Sequence, residues 1–145
     1  MSKKLSAKRP YLLRAYYDWI SDNDLTPYLV VDANYYGTEV PEEYVQDGQI
    51  ILNISMQATG DLLINDDAVS FNARFQGVTR HVHVPMGAAV AIYARENGEG
   101  VMFEPEDIYA ELNREPEDQP HSFEEAVDKP KAKKSKDSSF LRIVK

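Results

Sequence analysis

The chain is 145 residues long, with 43% hydrophobic and 28% charged residues, which is enough for one folded domain. It contains no cysteine, which excludes disulfides, thiolate metal ligands and a cysteine nucleophile. No apolar run approaches the ~20 residues that cross a membrane, and the basic start lacks the apolar centre of a signal peptide. We therefore expect a cytoplasmic protein with no membrane partner.

The net charge of −8 is carried by the first part of the chain. Residues 1–110 hold 16 acidic and 8 basic side chains, whereas residues 111–145 hold 8 of each. Nucleic-acid binding depends on basic surfaces that displace counterions from phosphates, so this distribution disfavours a nucleic-acid partner.

The first predicted element is a helix that begins at Pro10, a residue suited to the first helical turn because its missing N–H has no partner there. Within residues 11–20 only Arg14 and Asp18 interrupt the apolar residues. Because such a helix is apolar around most of its circumference, we expect its own domain on one side and a partner on the other. A helix enclosed in its own core is the alternative. The helix should end near residues 21–23.

Period-two patterning then replaces the helical pattern. The sequence predicts five short strands, at residues 28–31, 49–54, 61–64, 69–75 and 78–84. Asp47-Gly48 is a hairpin-turn signal, and Gln76-Gly77 separates the last two strands. A second, alanine-rich helix is predicted over residues 86–96, with Asn97-Gly98 as its C-cap.

These elements predict a mainly β fold with α. Five short strands joined by tight turns, with a helix before them, favour a small closed or half-closed antiparallel barrel. An open sheet packed against the helices is the alternative. We expect this folded domain to span residues 1–112.

The rest of the chain has a different composition. Residues 113–139 have almost no large apolar residues and mixed charges, which predicts a disordered linker. Residues 140–145 are apolar again, and apolar residues at the end of a polar tail cannot contribute to a core. We interpret them as a docking motif; a strand that folds back on the domain is the alternative.

Chemistry-bearing residues are few. His81 and His83 share one face of a predicted strand, but zinc needs a third ligand, and His121 lies in the predicted linker. We expect no metal site and no cofactor. No carboxylate spacing, phosphate loop or nucleophile motif indicates catalysis, so we expect a protein that is not an enzyme.

Two segments are suited to binding an extended peptide. Ser70, Asn72 and Arg74 form the polar face of a predicted strand, and Tyr44 and the loop 57–60 lie where they can form a wall and a close backbone approach. Strand surfaces of this kind bind peptides through main-chain hydrogen bonds and side-chain pockets. An ordinary solvated sheet face is the alternative.

Seven uninterrupted blocks of the chain match one known family. They are KRPYLLRA (8–15), LTPYLVVD (25–32), DGQIILN (47–53), FNARF (71–75), AIYARENG (91–98), MFEPE (102–106) and LRIVK (141–145). Over residues 8–110 and 141–145 the chain thus resembles the stringent starvation protein B family, specificity-enhancing adaptors of the ClpXP protease. The linker does not match in sequence.

The resemblance implies a homodimer of Sm-like barrels paired through the N-terminal helix. The implied dimer-interface residues are Tyr11, Leu12, Ala15, Tyr16 and Trp19. It also implies a groove for the Ala-Ala-Asn-Asp-Glu-Asn-Tyr part of the ssrA tag, which marks proteins from stalled ribosomes. The implied groove residues are Tyr44, Leu52, Ser55, Ala58, Phe71, Asn72, Ala73, Arg74 and Phe75. Ribosome-associated nascent chains are a further expected partner.

A third implication concerns the C-terminal motif, which would dock on the zinc-binding N-terminal domain of ClpX. Its residues are Leu141, Arg142, Ile143, Val144 and Lys145. The zinc would therefore belong to the partner. The implied tag is acidic and so is the domain, so Arg74 or Arg80 must offset the negative field locally. The alternative function is a Sm-like RNA-binding module.

Overall fold

The structure is a computed structural model that describes residues 5–114. Its helices are α1 (Arg9–Asp22) and α2 (Asp107–Leu112), with short 3-10 helices at Glu42–Tyr44 and Met86–Ala88. Its strands are β1 (Pro27–Asp32), β2 (Gln49–Asn53), β3 (Gly60–Ile64), β4 (Ala68–Phe75), β5 (Val78–Pro85), β6 (Ala89–Ala94) and β7 (Gly100–Met102). The mainly β fold with an N-terminal helix is therefore confirmed.

Helix α1 begins at Arg9, one residue before the predicted start at Pro10, and ends at Asp22, within the predicted range 21–23. Pro10 occupies its first turn, but no side chain of the helix caps the free N–H groups there. Instead the Glu106 carboxylate accepts hydrogen bonds from the Lys8 N–H at 2.8 Å and the Arg9 N–H at 3.3 Å. Because unpaired N–H groups at a helix start need acceptors, Glu106 caps α1, although it lies 97 residues after Arg9 in the sequence.

The strands form two antiparallel sheets. Sheet A has the order β2-β1-β6-β7, and sheet B has the order β3-β4-β5. All five predicted strands are present, and both predicted turns are tight. Asp47 (φ 53°) and Gly48 (φ 78°) precede β2, and Gln76 (φ 54°) and Gly77 (φ 82°) join β4 to β5. Two consecutive positive φ angles are typical of the hairpin turn that follows the twist of the strands.

The predicted helix over residues 86–96 is wrong. A single 3-10 turn is followed by β6, which pairs with β1 on one side and β7 on the other. Asn97-Gly98 then lies in the β6–β7 hairpin and is not a helix C-cap. The helix propensity of alanine exceeds that of most other residues by less than about 1 kcal/mol per residue. Pairing of β6 with both β1 and β7, together with the burial of Ile92, outweighs this preference.

A closed barrel does not form. No ladder joins sheet A to sheet B within residues 5–114, and outside the named strands Glu39 bridges His83 at the β5 edge. The Sm-like barrel implied by the resemblance is thus not confirmed. The pairing shifts register within β3–β4 and between Val30 and Val31 of β1, which bends the strands locally.

The core lies between α1 and the inner faces of the two sheets. Its largest fully buried side chains include Leu13, Ile20, Leu29, Ile92, Phe71 and Val84. The alternation of buried and half-buried residues along β1 follows the side-chain period of two. None of the helices in residues 5–114 is both long enough and apolar enough for a membrane span.

Arg9 is the charged residue at the centre of this packing, with only 7% of its surface exposed. Its guanidinium donates to the carbonyl oxygens of Met86, Gly87, Ala89 and Glu104 at 2.9–3.3 Å. Burial lowers its pKa, and those four acceptors replace the water it has lost. Arg9 therefore joins the start of α1 to the segment before β6 and to the segment before α2.

Helix α2 is held by the same cluster. The Arg9 guanidinium lies 4.5 Å from the centre of the Tyr109 ring, and the Tyr35 hydroxyl donates to the Tyr109 carbonyl at 2.6 Å. Burial raises the pKa of Tyr109 to about 12. A Cβ at Gly87 would overlap the Tyr35 ring and hydroxyl, so this close packing favours glycine there.

Candidate functional site

An aromatic pair closes one end of sheet B. Tyr44 ends its 3-10 helix and Phe75 ends β4, and their ring centroids are 5.4 Å apart. Both rings are half-buried and, with Ala73, pack against the core. This end of the sheet therefore presents partly open aromatic and small apolar side chains, which can contact the apolar part of a ligand.

An ion pair lies beside this aromatic pair. Arg80 is directly opposite Ala73 in the β4–β5 ladder, and its guanidinium donates to both carboxylate oxygens of Glu43 at 2.9 and 3.2 Å. This hydrogen bonding lowers the pKa of Glu43 and raises the pKa of Arg80. The bidentate pair fastens the 3-10 helix that carries Tyr44 to β5, and it already uses the charge of Arg80.

The turn after β2 contributes a second group of predicted groove residues. The Ser55 carbonyl accepts from the Ala58 N–H at 3.1 Å and from the Thr59 hydroxyl at 2.9 Å, while the Ser55 N–H donates to the Asn53 side chain. Ser55 is buried and Ala58 is half-buried. These bonds hold the turn in one shape. Leu52, which precedes it, is 3% exposed and is a core residue.

The remaining groove residues do not share one face. Phe71 is 1% exposed and lies on the inner face of β4 with Ala73 and Phe75, whereas Asn72 and Arg74 alternate onto the outer face. Since β4 is the central strand of sheet B, a ligand that lies flat on one face reaches only one of these groups. A ligand that contacts both must pass around the end of β4, where Arg74 and Phe75 are the last two residues.

The outer face of sheet B carries a polar chain across three strands. The Asn72 amide donates to the Asp61 carboxylate of β3 at 3.3 Å, and its oxygen lies 3.1 Å from Nδ1 of His81 on β5. Neither Asp61 nor His81 was predicted for the site. His81 lies opposite Asn72 because of the register in which β4 pairs with β5. The alternation of residues along a single strand does not reveal that register, so the sequence carried no signal for this contact.

An apolar stripe runs along the outer side of α1. Tyr11, Leu12 and Trp19 are 55%, 38% and 49% exposed, and Ala15 is also exposed. Tyr16 is half-buried, with its ring 5.8 Å from the Trp19 ring in an edge-to-face arrangement. These five residues, which we call the α1 stripe, lie three and four positions apart and so form one continuous surface.

Two clefts border α1. The α1–β3 cleft has a volume of about 460 Å³ and includes Tyr17, Met56 and Leu62. The Tyr17 hydroxyl is buried, and among residues 5–114 no partner forms a well-aligned hydrogen bond with it. Burial raises the pKa of Tyr17, and the nearby Ser21 side chain partly offsets this rise. The α2 cleft has a volume of about 900 Å³ and lies between α2 and the segment before α1. The nine predicted groove residues line neither of these two clefts.

Residues 5–114 bring no three of His, Cys, Asp and Glu together in a group that could hold a metal ion. His121 lies outside the described residues, as do nearly all of the predicted linker and the whole docking motif Leu141, Arg142, Ile143, Val144 and Lys145.

Comparison with known proteins identifies relatives over nearly the whole chain. A family described as "Stringent starvation protein B" matches residues 7–145. A protein of Haemophilus influenzae described as "Stringent starvation protein B homolog" is 65% identical over 149 aligned positions, which cover 99% of each chain.

Proposed function

Because this chain belongs to the stringent starvation protein B family, we propose that it is a non-enzymatic adaptor that brings ssrA-tagged proteins to ClpX and so enhances their degradation by ClpXP. The observation that carries the proposal is the extent of the match. It runs from residue 7 to residue 145 and so includes the segments proposed for dimerisation, tag binding and docking.

The proposed tag site is the end of sheet B at Tyr44. Tyr44, Phe75, Ala73 and Ala58 are half-buried there, which suits them to apolar contacts with a bound peptide. Phe71 and Leu52 are fully buried, so their proposed role is to support this surface from below rather than to touch the tag. Ser55 would hold the turn that carries Ala58.

The acidic residues of the tag need a cation in an otherwise negative domain. Arg80 is already neutralised by Glu43. Arg74 is exposed, and within residues 5–114 it forms no ion pair. We therefore assign the acidic residues to Arg74, with Asn72 beside it on the same face. An exposed pair of this kind adds less than about 1 kcal/mol and weakens with salt.

The proposed dimer uses the α1 stripe. An exposed row of two aromatic rings and a leucine on a helix is suited to an isologous contact with a second copy, because each copy covers the same surface of the other. A dimer would present two tag sites and two docking motifs.

Tethering would then raise the local substrate concentration without a chemical step. Residues 114–139, taken as a flexible coil, span roughly 28 Å. Two weak contacts joined by such a tether act at an effective concentration of ~1 mM. The docking partner is proposed to be the zinc-binding N-terminal domain of ClpX, reached by Leu141-Arg142-Ile143-Val144-Lys145. Nascent chains on ribosomes are a further proposed source of substrate.

The first test is a fluorescence-anisotropy titration of the full chain with a labelled ssrA peptide. Tyr44→Ala should weaken binding about tenfold or more, because an aromatic contact that the peptide buries contributes ~1.4 kcal/mol or more. Ile51→Ala, which also truncates a large apolar side chain but on the opposite sheet, is the matched control and should bind normally. Equal affinities for the two variants would exclude the proposed tag site.

A second test separates tag binding from delivery. Removal of Leu141–Lys145 should leave the anisotropy titration unchanged and abolish the enhancement of ClpXP degradation at low substrate concentration. Degradation that is equally fast without these residues would contradict tethering. Strongly salt-dependent binding of a labelled RNA, together with no binding of the ssrA peptide, would instead favour the RNA-binding alternative.

A further inference from the structure

The α2 cleft groups exposed apolar side chains in one concave surface. Leu5, Tyr11, Ile108 and Leu112 line it, and they are 84%, 55%, 43% and 54% exposed. Large apolar side chains scattered singly over a surface need no explanation, but four of them around one cleft mark a binding surface.

The rim of the α2 cleft is strongly negative. Asp66, Asp67, Glu106, Asp107 and Glu111 line it against the ammonium group of Lys8, the one basic side chain among the described residues that line the cleft. Asp66 pairs with Arg14 at 3.1 Å, and Glu106 caps α1. Asp67, Asp107 and Glu111 remain exposed, and within residues 5–114 they form no ion pair. Three carboxylates are therefore available to a ligand.

The walls of the cleft are held in place before any ligand binds. The Arg9 guanidinium donates to the Glu104 carbonyl just before α2, the Tyr35 hydroxyl donates to the Tyr109 carbonyl, and the Tyr36 N–H donates to the Asn113 side chain just after α2. Helix α2 is thus tied before, within and after its six residues. Because the wall is already ordered, ligand binding costs less conformational entropy than it would if the wall had to become ordered.

We propose that the α2 cleft binds a short extended segment of a partner protein in which apolar residues alternate with lysine or arginine. The apolar residues of the segment would lie against Leu5, Ile108 and Leu112. Its cations would face Asp67, Asp107 and Glu111. Charge complementarity selects this ligand over an acidic peptide, because a second negative chain would be repelled by the rim.

This site is separate from the proposed tag site. The two surfaces share no residue, and they favour ligands of opposite charge. Tyr11 belongs to both the α2 cleft and the α1 stripe, so a second copy of the chain is the competing occupant.

The test is an NMR titration of the full-length ¹⁵N-labelled chain with the peptide acetyl-Lys-Leu-Lys-Leu-Lys-Leu-amide. The amide signals of Leu5, Ile108 and Leu112 should shift, and the shifts should shrink as salt is added. The matched peptide acetyl-Glu-Leu-Glu-Leu-Glu-Leu-amide should cause no shift at these residues. Shifts confined to other surfaces, or equal shifts with both peptides, would overturn the proposal.

Two double variants with the same change of net charge sharpen the test. Asp107→Lys with Glu111→Lys should weaken binding of the basic peptide about tenfold or more at low salt, because two attractions become repulsions. Asp22→Lys with Glu99→Lys changes exposed acids outside the cleft and should weaken it less than about threefold. Equal losses in both variants would show that only net charge matters and would overturn the site.

Two further measurements distinguish the remaining outcomes. If the cleft signals shift with protein concentration and not with peptide, a second copy fills the cleft and the proposal is wrong. The Asp107→Lys, Glu111→Lys variant should still bind labelled ssrA peptide as the unmodified chain does. Failure of the α2 cleft proposal would therefore leave the proposed tag site untouched, and failure of the tag site would leave the cleft titration intact.

Discussion

Replacement of Trp19 by alanine tests the proposed dimer through the α1 stripe. Trp19 is 49% exposed in the single chain. A tryptophan side chain offers about 250 Å² of surface, so roughly 120 Å² of it is open to a partner. At about 25 cal/mol per Å², burying that surface stabilises a complex by ~3 kcal/mol per copy.

An isologous dimer buries the side chain of both copies, which doubles the effect to ~6 kcal/mol if the whole ring is covered. We therefore expect Trp19→Ala to destabilise the dimer by ~3 to ~6 kcal/mol, which raises its dissociation constant roughly 10²- to 10⁴-fold. The fold of the single chain should change little, because Trp19 packs mainly against Tyr16 on the helix surface.

Sedimentation velocity over a dilution series of the full chain measures this dissociation constant. Met102→Ala is the matched control, since Met102 is also a large apolar side chain, 73% exposed, but belongs to β7 and not to the α1 stripe. If both variants dissociate alike, or if Trp19→Ala leaves the dissociation constant within a factor of about three, the α1 stripe is not the dimer interface.

Three further predictions concern the parts of the fold that hold these surfaces. Arg9→Met leaves four carbonyl acceptors without their donor and should lower the free energy of unfolding by ~3 kcal/mol or more in urea titration; a loss under ~1 kcal/mol would show that water replaces the guanidinium. The Glu96 carboxylate accepts hydrogen bonds from the backbone N–H and the hydroxyl of Thr26. These hydrogen bonds lower the pKa of Glu96 to about 2, below its value in the unfolded chain. The contribution of Glu96 to stability should therefore be complete above about pH 4.5 and lost as the pH falls toward about 2. In Glu96→Gln, the urea concentration at the unfolding midpoint should depend less on pH over that range than it does in the unmodified chain. If the midpoints of the two proteins change with pH in parallel, the assignment is wrong. Gly87→Ala drives a methyl group into Tyr35 and should lower the thermal midpoint by several degrees. Gly60→Ala is the control and should leave the midpoint unchanged, because its Cβ would make only an ordinary van der Waals contact with the Asn72 carbonyl at 4.0 Å. Equal midpoints for the two variants would mean that Tyr35 moves freely.

The elements predicted correctly are those with local signals. Pro10 at the start of α1 and the Asp47-Gly48 and Gln76-Gly77 turns act over a few residues, and the structure places the helix and the hairpins where these signals predict. The segment over residues 86–96 shows the limit of such reasoning. Its alanine content favours a helix, yet it forms β6, because β1 and β7 lie on either side of it and pairing with both outweighs the local preference.

The candidate site divides in the same way. The alternation along β4 was visible in the sequence, and it already separates Asn72 and Arg74 from Phe71, Ala73 and Phe75. The contact between Tyr44 and Phe75 and the ion pair between Glu43 and Arg80 join residues more than thirty positions apart, and no local pattern indicates them.

By itself, then, the sequence determined the family, the helix with an apolar outer stripe, the hairpins and the absence of cysteine chemistry, because these depend on the order and spacing of neighbouring residues. Only the tertiary structure decided that the two sheets do not close and that Arg80 is already paired. It also decided that α2 and the start of α1 enclose an acidic, apolar cleft. The physical reason is that these three features depend on contacts between residues that are far apart in the sequence. Which of the possible partners a side chain contacts is decided only when the whole domain packs.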